Sequence, residues 1–224
     1  MTLLETIEFE TAASPRFSVI WLHGLGADGH DFEPIVPELV RRHWPAIRFV
    51  FPHAPPRPVT INGGMRMRAW YDISGQELEH KQDEIGVRES MTQVNALLER
   101  EVERGVPAER QFLVGFSQGG AIALSCLIRR QRPLAGVIAL STYLPIADKS
   151  TAEATAASKS IPVFLGHGNM DPVVGIALGA MSREWLQRAG YSVAWHSYPM
   201  PHSLCAEEIR DIADFMQPIL LAAH

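Results

Sequence analysis

FLVGFSQGG, running from Phe112 to Gly120, is the stretch that decides how this 224-residue chain folds. Phe112 to Phe116 is apolar and reads as a strand, while Ala121 to Arg130 has the spacing of a helix. Between them lies Gly115-x-Ser117-x-Gly119, the pattern of a nucleophile elbow. Small residues are needed two before and two after the serine, because the backbone closes on itself there and glycine has no Cβ to clash. Such a turn holds a hydroxyl at the carboxyl end of a central strand, where the free amides of the next helix point toward an incoming acyl oxygen. A glycine-rich turn with a helix-capping serine is the bland alternative. An apolar strand before the serine and an amphipathic helix after it favour the elbow.

Outward from this turn, strand and helix alternate. Strands are expected at Leu4 to Phe9, Phe17 to Leu22, Ile47 to Phe51, Gly136 to Leu140, Ile161 to Leu165 and Ser192 to Tyr198. Helices are expected at Phe32 to Arg42, Val87 to Arg104, Gly175 to Arg188 and Ala206 to Leu221. Continuous apolar strands separated by helices predict an α/β fold with a mostly parallel central sheet of about seven strands, covered on both faces. The more polar first strand should be an antiparallel edge. Two stretches are irregular: His53 to Gln82, rich in Pro, Gly and Met, and Tyr143 to Ser160, rich in Ala, Ser and Thr, which reads as a mobile surface connection. With no internal repeat and no shift of composition, residues 1–224 are expected to form one domain.

An elbow serine needs an imidazole to take its proton and an acid to orient that imidazole. In this type of fold they follow in the order Ser, Asp or Glu, His, each on a loop after a later strand. Asp171 lies beyond the strand expected at Ile161 to Leu165, and His202 lies beyond Ser192 to Tyr198. An N-cap followed by Pro172 is the other use of Asp171, and a surface loop residue is the other reading of His202. His23 precedes the serine, His167 adjoins the proposed acid, His196 falls within a strand and His224 is terminal. Asp148 sits in the soft stretch, and Asp72 and Asp211 are on the wrong side of the order.

After Phe17 to Leu22 comes HGLGADG, His23 to Gly29, whose glycines match the dinucleotide spacing GxGxxG. A nucleotide fold would carry an acid at the end of the next strand, but Ile47 to Phe51 ends in Pro52 and His53. In a hydrolase the same turn supplies an oxyanion donor, so the backbone N–H groups of Leu25 and Gln118 are the expected pair. Two cysteines without CxxC spacing and histidines without HExxH spacing give no metal pattern. A formal net charge of −5 leaves no basic footprint for nucleic acid. No stretch of about 18 apolar residues and no secretion signal is present, so a cytoplasmic protein without a stable membrane anchor is expected.

LHGLGADGHDF (Leu22 to Phe32), INGGMRMRAWYDI (Ile61 to Ile73), GFSQGG (Gly115 to Gly120) and GHGNMDPVV (Gly166 to Val174) together resemble one family. It comprises small bacterial carboxylesterases and their relatives, the acyl-protein thioesterases and lysophospholipases. The resemblance spans nearly the whole chain. It implies an α/β-hydrolase fold without a large cap domain, and cofactor-free hydrolysis of esters or thioesters. By motif position it also implies Ser117, Asp171 and His202 as the triad and Leu25 and Gln118 as oxyanion donors. Pro201 before His202 departs from the Gly of many bacterial esterases of this type.

The substrate expected on this basis is a small acyl ester of short to medium chain, with a protein thioester or a lysophospholipid as the alternative. A catalytically silent binding module of the same fold is the remote one. Trp70, Met65, Met67, Pro172, Val173 and Leu204 flank the expected site and are candidates for an acyl groove. A homodimer is compatible with the sequence but has no readable pairing element.

Overall fold

Ile20 and Leu22 pack into one apolar cluster and Val19 and Trp21 into another, because successive side chains of a strand point to opposite faces. Both faces are covered, which is why the strands read as unbroken apolar runs. The structure is a computed structural model and describes residues 3–75 and 82–222. In chain order its elements are β1 (Thr6–Glu10), β2 (Phe17–Leu22), α1 (Val36–Leu39), β3 (Ile47–Pro52), β4 (Pro56–Val59), β5 (Met65–Arg68), α2 (Glu84–Glu103) and β6 (Gln111–Phe116). They continue with α3 (Gln118–Ile128), β7 (Gly136–Leu140), α4 (Ala147–Glu153), β8 (Val163–Gly168), α5 (Ile176–Arg188), β9 (Val193–Tyr198) and α6 (Ala206–Ala222).

Seven strands form the central sheet in the order β1-β3-β2-β6-β7-β8-β9. Only β1 runs antiparallel, at the edge against β3. This is an α/β-hydrolase fold, with no cap domain among the described residues. Helices α2, α3 and α5 pack over one face through Val94, Leu98, Leu124, Leu127 and Leu186, and α1 and α6 over the other through Val36, Leu39, Ile212 and Met216. Among the described residues no helix is long and apolar enough to cross a membrane.

Three local expectations need correction. The helix expected over Phe32 to Arg42 breaks into a 3₁₀ turn at Glu33–Ile35 and the four-residue α1. Pro37 would lie inside the longer helix, where its missing N–H and its ring remove a rung and clash with the preceding turn. The strand placed at Ile161 to Leu165 is shifted to Val163–Gly168, so His167 and Gly168 belong to β8 and not to the loop after it.

The third is the Tyr143 to Ser160 stretch, which holds α4 and a 3₁₀ turn and buries Tyr143, Leu144, Ile146, Ser150 and Ser158. Its small polar residues are tied inward: the Ser158 hydroxyl bonds the Tyr191 hydroxyl at 2.8 Å, and Glu153 meets both Arg88 and Arg129. Composition resembled a loop because the side chains here satisfy polar partners instead of filling apolar space. The irregular stretch His53 to Gln82 contains the β4–β5 hairpin, paired Pro56 to Arg68 and Val59 to Met65, while its residues 76–81 lie outside the described residues.

Helix α6 brings a carboxylate into the core. Glu208 is fully buried, neither carboxyl oxygen has a hydrogen-bond partner among the described residues, and a Cβ on Gly166 of β8 would run into Oε1. Burial, with help from nearby Asp211, pushes its pKa up to about 8. The helix dipole in this first turn favours the anion by about 1 kcal/mol, which is small against the cost of burying an unpaired charge. Since the folded pKa lies above the unfolded one, the contribution of neutral Glu208 to stability is full below about pH 4.5 and is lost as pH rises to about 8. The loss across that window is on the order of 4–5 kcal/mol. Glu208→Gln is expected to flatten this slope, measured as urea unfolding midpoints at pH 5 and pH 9; a slope equal to wild type would show that Glu208 does not titrate in the core.

Candidate active site

Strand β6 ends at Phe116 and α3 begins at Gln118, leaving Ser117 alone to make the turn at φ 54°, ψ −120°. That backbone is strained for any residue with a Cβ, and the surroundings enforce it. Ser117 N donates to Leu140 O at 2.8 Å, and its carbonyl accepts from the Thr142 hydroxyl at 2.6 Å. A Cβ at Gly115 would meet the Gly119 backbone, and one at Gly119 would meet the carbonyls of Leu22 and His23. The turn therefore fits only with glycine at both places.

Two loops at the carboxyl ends of β8 and β9 bring the other groups to this turn. His202 Nε2 lies 2.9 Å from Ser117 Oγ, and His202 Nδ1 lies 2.6 Å from Asp171 Oδ2. With Nδ1–H donating to the carboxylate, Nε2 carries a lone pair facing the Ser117 hydroxyl. The other carboxylate oxygen, Oδ1, accepts from Val173 N at 2.8 Å and Val174 N at 2.9 Å. Asp171 thus closes its own loop turn with one oxygen and holds the imidazole with the other; it is not a helix N-cap, because α5 begins at Ile176 with Gly175 as its N-cap. Its side chain is fully buried, and that of His202 is 16% exposed, enough to meet a substrate from one side.

Two buried histidines brace the site. His23 Nε2 accepts from Ala54 N at 3.0 Å, which puts the proton on Nδ1, donated to Gly24 O at 2.7 Å. His167 Nε2–H donates to Val174 O at 2.8 Å, 3.7 Å from Asp171 Oδ2. Burial lowers the pKa of both, so each stays neutral and keeps its hydrogen-bond pattern.

The Gln118 side chain was invisible to an argument that used only its backbone N–H. Its Oε1 accepts from Trp70 N at 2.8 Å and its Nε2 donates to Tyr71 O at 2.7 Å, lacing the elbow to a segment 47 residues away. Trp70 Nε1 donates in turn to His23 O at 2.8 Å. A polar residue at the first position of an otherwise wholly buried helix was the available signal. Gln118→Leu keeps the backbone amide but strands two buried backbone groups, at about 1–3 kcal/mol each. A destabilisation of roughly 2–5 kcal/mol in urea unfolding is expected; less than about 1 kcal/mol would mean the lacing is dispensable.

A cavity of about 590 Å³ opens at Ser117 and is lined by Leu25, Gln118, Tyr71, Tyr143, Pro172 and Val173, among others. Among the described residues the Leu25 N–H has no acceptor, whereas Gly26 N donates to Arg68 O at 2.8 Å. Val173 and Pro172 are therefore at the groove. Trp70 is not: it is fully buried behind Gln118, because its indole N–H is needed by the His23 carbonyl. Met65 is also displaced from the groove, standing 64% exposed on β5, where the short hairpin offers nothing to cover it. Met67, on the same strand, has its sulfur 3.3 Å from Asn62 Nδ2 and does not line the cavity. Leu204 lines a separate hollow on the far side of His202, with Phe32, Pro34 and Phe116.

Asp28, His30 and His53 offer ligand atoms within 4.8 Å of one another. Within this group His53 Nδ1 accepts from Gly29 N at 3.1 Å, and Asp28 Oδ1 accepts from His30 N and His30 Nδ1.

A family model described as phospholipase/carboxylesterase matches residues 7–220. The chain belongs to the phospholipase/carboxylesterase family. Acyl-protein thioesterase 1 of Neurospora crassa is 40% identical over 208 residues, which cover 89% of this chain and 85% of that protein. Among solved structures, Arabidopsis thaliana SOBER1 matches with a TM-score of 0.87 at 30% identity, over 92% of this chain and 99% of that one. Zea mays acyl-protein thioesterase 2 gives 0.84 at 27%, over 96% and 99%. As a phospholipase/carboxylesterase family member the chain is an ester-hydrolysing enzyme.

Proposed function

We propose that the enzyme is an acyl-protein thioesterase working through an acyl-enzyme on Ser117, in one domain spanning residues 1–224. The observation that carries the acyl-enzyme mechanism is the unbroken chain from Asp171 Oδ2 through His202 to Ser117 Oγ, with links of 2.6 and 2.9 Å. Ser117 Oγ attacks the acyl carbonyl as His202 Nε2 takes its proton. The oxyanion accepts hydrogen bonds from the backbone N–H groups of Leu25 and Gln118, and losing one such donor typically costs about 10²–10³ in turnover. Collapse of the tetrahedral adduct breaks the carbonyl–sulfur bond, and the imidazolium returns the proton to the departing thiolate. Water then attacks the acyl-serine, gives its proton to Nε2, and releases the carboxylic acid and free Ser117.

The thioester preference is supported by the names of the relatives: acyl-protein thioesterase 1 at 40% identity and acyl-protein thioesterase 2 at 27%. A carboxylesterase of short- to medium-chain esters, or a lysophospholipase, would use the same groups and is the second reading. Steady-state kcat/KM on an S-octanoyl cysteinyl peptide and its O-octanoyl seryl counterpart separates them. The thioester is expected to be the better substrate by more than the difference in spontaneous hydrolysis; equal acceleration of both would favour the general carboxylesterase.

A further inference from the structure

A second cavity, of about 510 Å³, lies against the first and, among the described residues, shares one lining residue with it, Tyr143. We propose that the Tyr143 ring is the end wall of the acyl groove, and that the chamber behind it is shut to the distal part of a long acyl chain by this one side chain. The inference rests on the reading that the acyl group occupies the cavity at Ser117.

Several contacts hold the wall in place. Tyr143 is buried, and its hydroxyl bonds the buried Tyr71 hydroxyl at 2.9 Å. Swinging the ring aside would break this bond and cost the Tyr71 hydroxyl its Tyr143 partner. The neighbouring backbone is pinned as well, because Leu144 N donates to the Ser182 hydroxyl of α5 at 2.8 Å. On the elbow side Thr142 bonds the Ser117 carbonyl, so the wall and the nucleophile share one rigid segment.

The chamber suits methylenes. Leu144, Ala147, Leu178 and Trp185 supply its apolar lining, with the exposed Met181 at its rim. Asp148, Glu184 and Arg188 also line it, but all three are exposed and mark its solvent side. A chain that passed the position of the ring would therefore enter apolar surface continuous with the groove it had just filled.

Removing the ring should lengthen the preferred acyl chain. With p-nitrophenyl butyrate, octanoate and laurate as probes, Tyr143→Ala is expected to raise the laurate-to-butyrate ratio of kcat/KM at least tenfold over wild type. The basis is about fourfold for each methylene newly buried. Tyr143→Leu carries the same test with less disturbance of the fold and should move the ratio in the same direction. Tyr143→Phe keeps the wall and loses only the Tyr71 bond, so its ratio should match wild type. Adding Leu178→Trp to Tyr143→Ala refills the chamber and should return the ratio toward wild type. If the alanine and leucine variants are folded and react with a fluorophosphonate at Ser117, yet show the wild-type ratio, Tyr143 is not the wall. If wild type itself fails to react at Ser117, the acyl-enzyme reading falls first and takes this one with it.

Discussion

Ser117→Ala is expected to lower kcat by about 10⁴–10⁶-fold while the protein stays folded. The hydroxyl makes one contact that matters, the 2.9 Å bond to His202 Nε2, and alanine keeps the Cβ and the backbone bonds that fix the turn. The unfolding midpoint should therefore not fall. His202→Ala is expected to cost a similar factor, and the double variant little more than either single, because base and nucleophile act as one unit. What activity remains would come from the oxyanion donors and from binding, which neither substitution touches. Independent, multiplying losses in the double variant would show that the two side chains do not work on the same step.

Asp171→Asn is expected to lower kcat by about 10⁴-fold through the imidazole tautomer. Asparagine can keep Oδ1 toward Val173 N and Val174 N, which leaves its NH₂ facing His202 Nδ1. An N–H donor there makes Nδ1 the acceptor and moves the ring proton to Nε2, which then faces Ser117 and can no longer take its proton. The turn stays capped, so stability should change far less than activity. A loss of stability that accounts for the loss of activity would mean that Asp171 serves mainly as a cap.

The elbow was legible because Gly115, Ser117 and Gly119 stand together in sequence and the tight turn sets Gly115 against the backbone of Gly119 and Gly120; the crowding of Gly119 by the Leu22 and His23 carbonyls and of Gly120 by the Thr142 side chain comes from distant segments and was not. That Asp171 and His202 would meet at Ser117 was legible for a different reason, since chain order and position after a strand single out these two side chains. Gln118, His23 and His167 were not legible as side chains. Each satisfies a backbone group on another loop, and no local pattern records where Ala54 N, Tyr71 O or Val174 O will end up. Trp70 and Met65 show the same limit from the apolar side. An aromatic and a methionine in a Pro- and Gly-rich stretch read alike, although one became fully buried and the other stayed on the surface. Pro37 carried a legible warning that the apolar spacing around it outweighed. The folded Tyr143 to Ser160 segment gave no such signal, because small polar residues look the same in a loop as under a network of hydrogen bonds.

Reaction with a fluorophosphonate followed by peptide mapping tests most directly whether Ser117 Oγ is the nucleophile that takes up the acyl group. Stoichiometric modification at Ser117, abolished when His202 is replaced by alanine, is the predicted result. Modification at any other residue, or labelling of Ser117 that proceeds undiminished without His202, would contradict it.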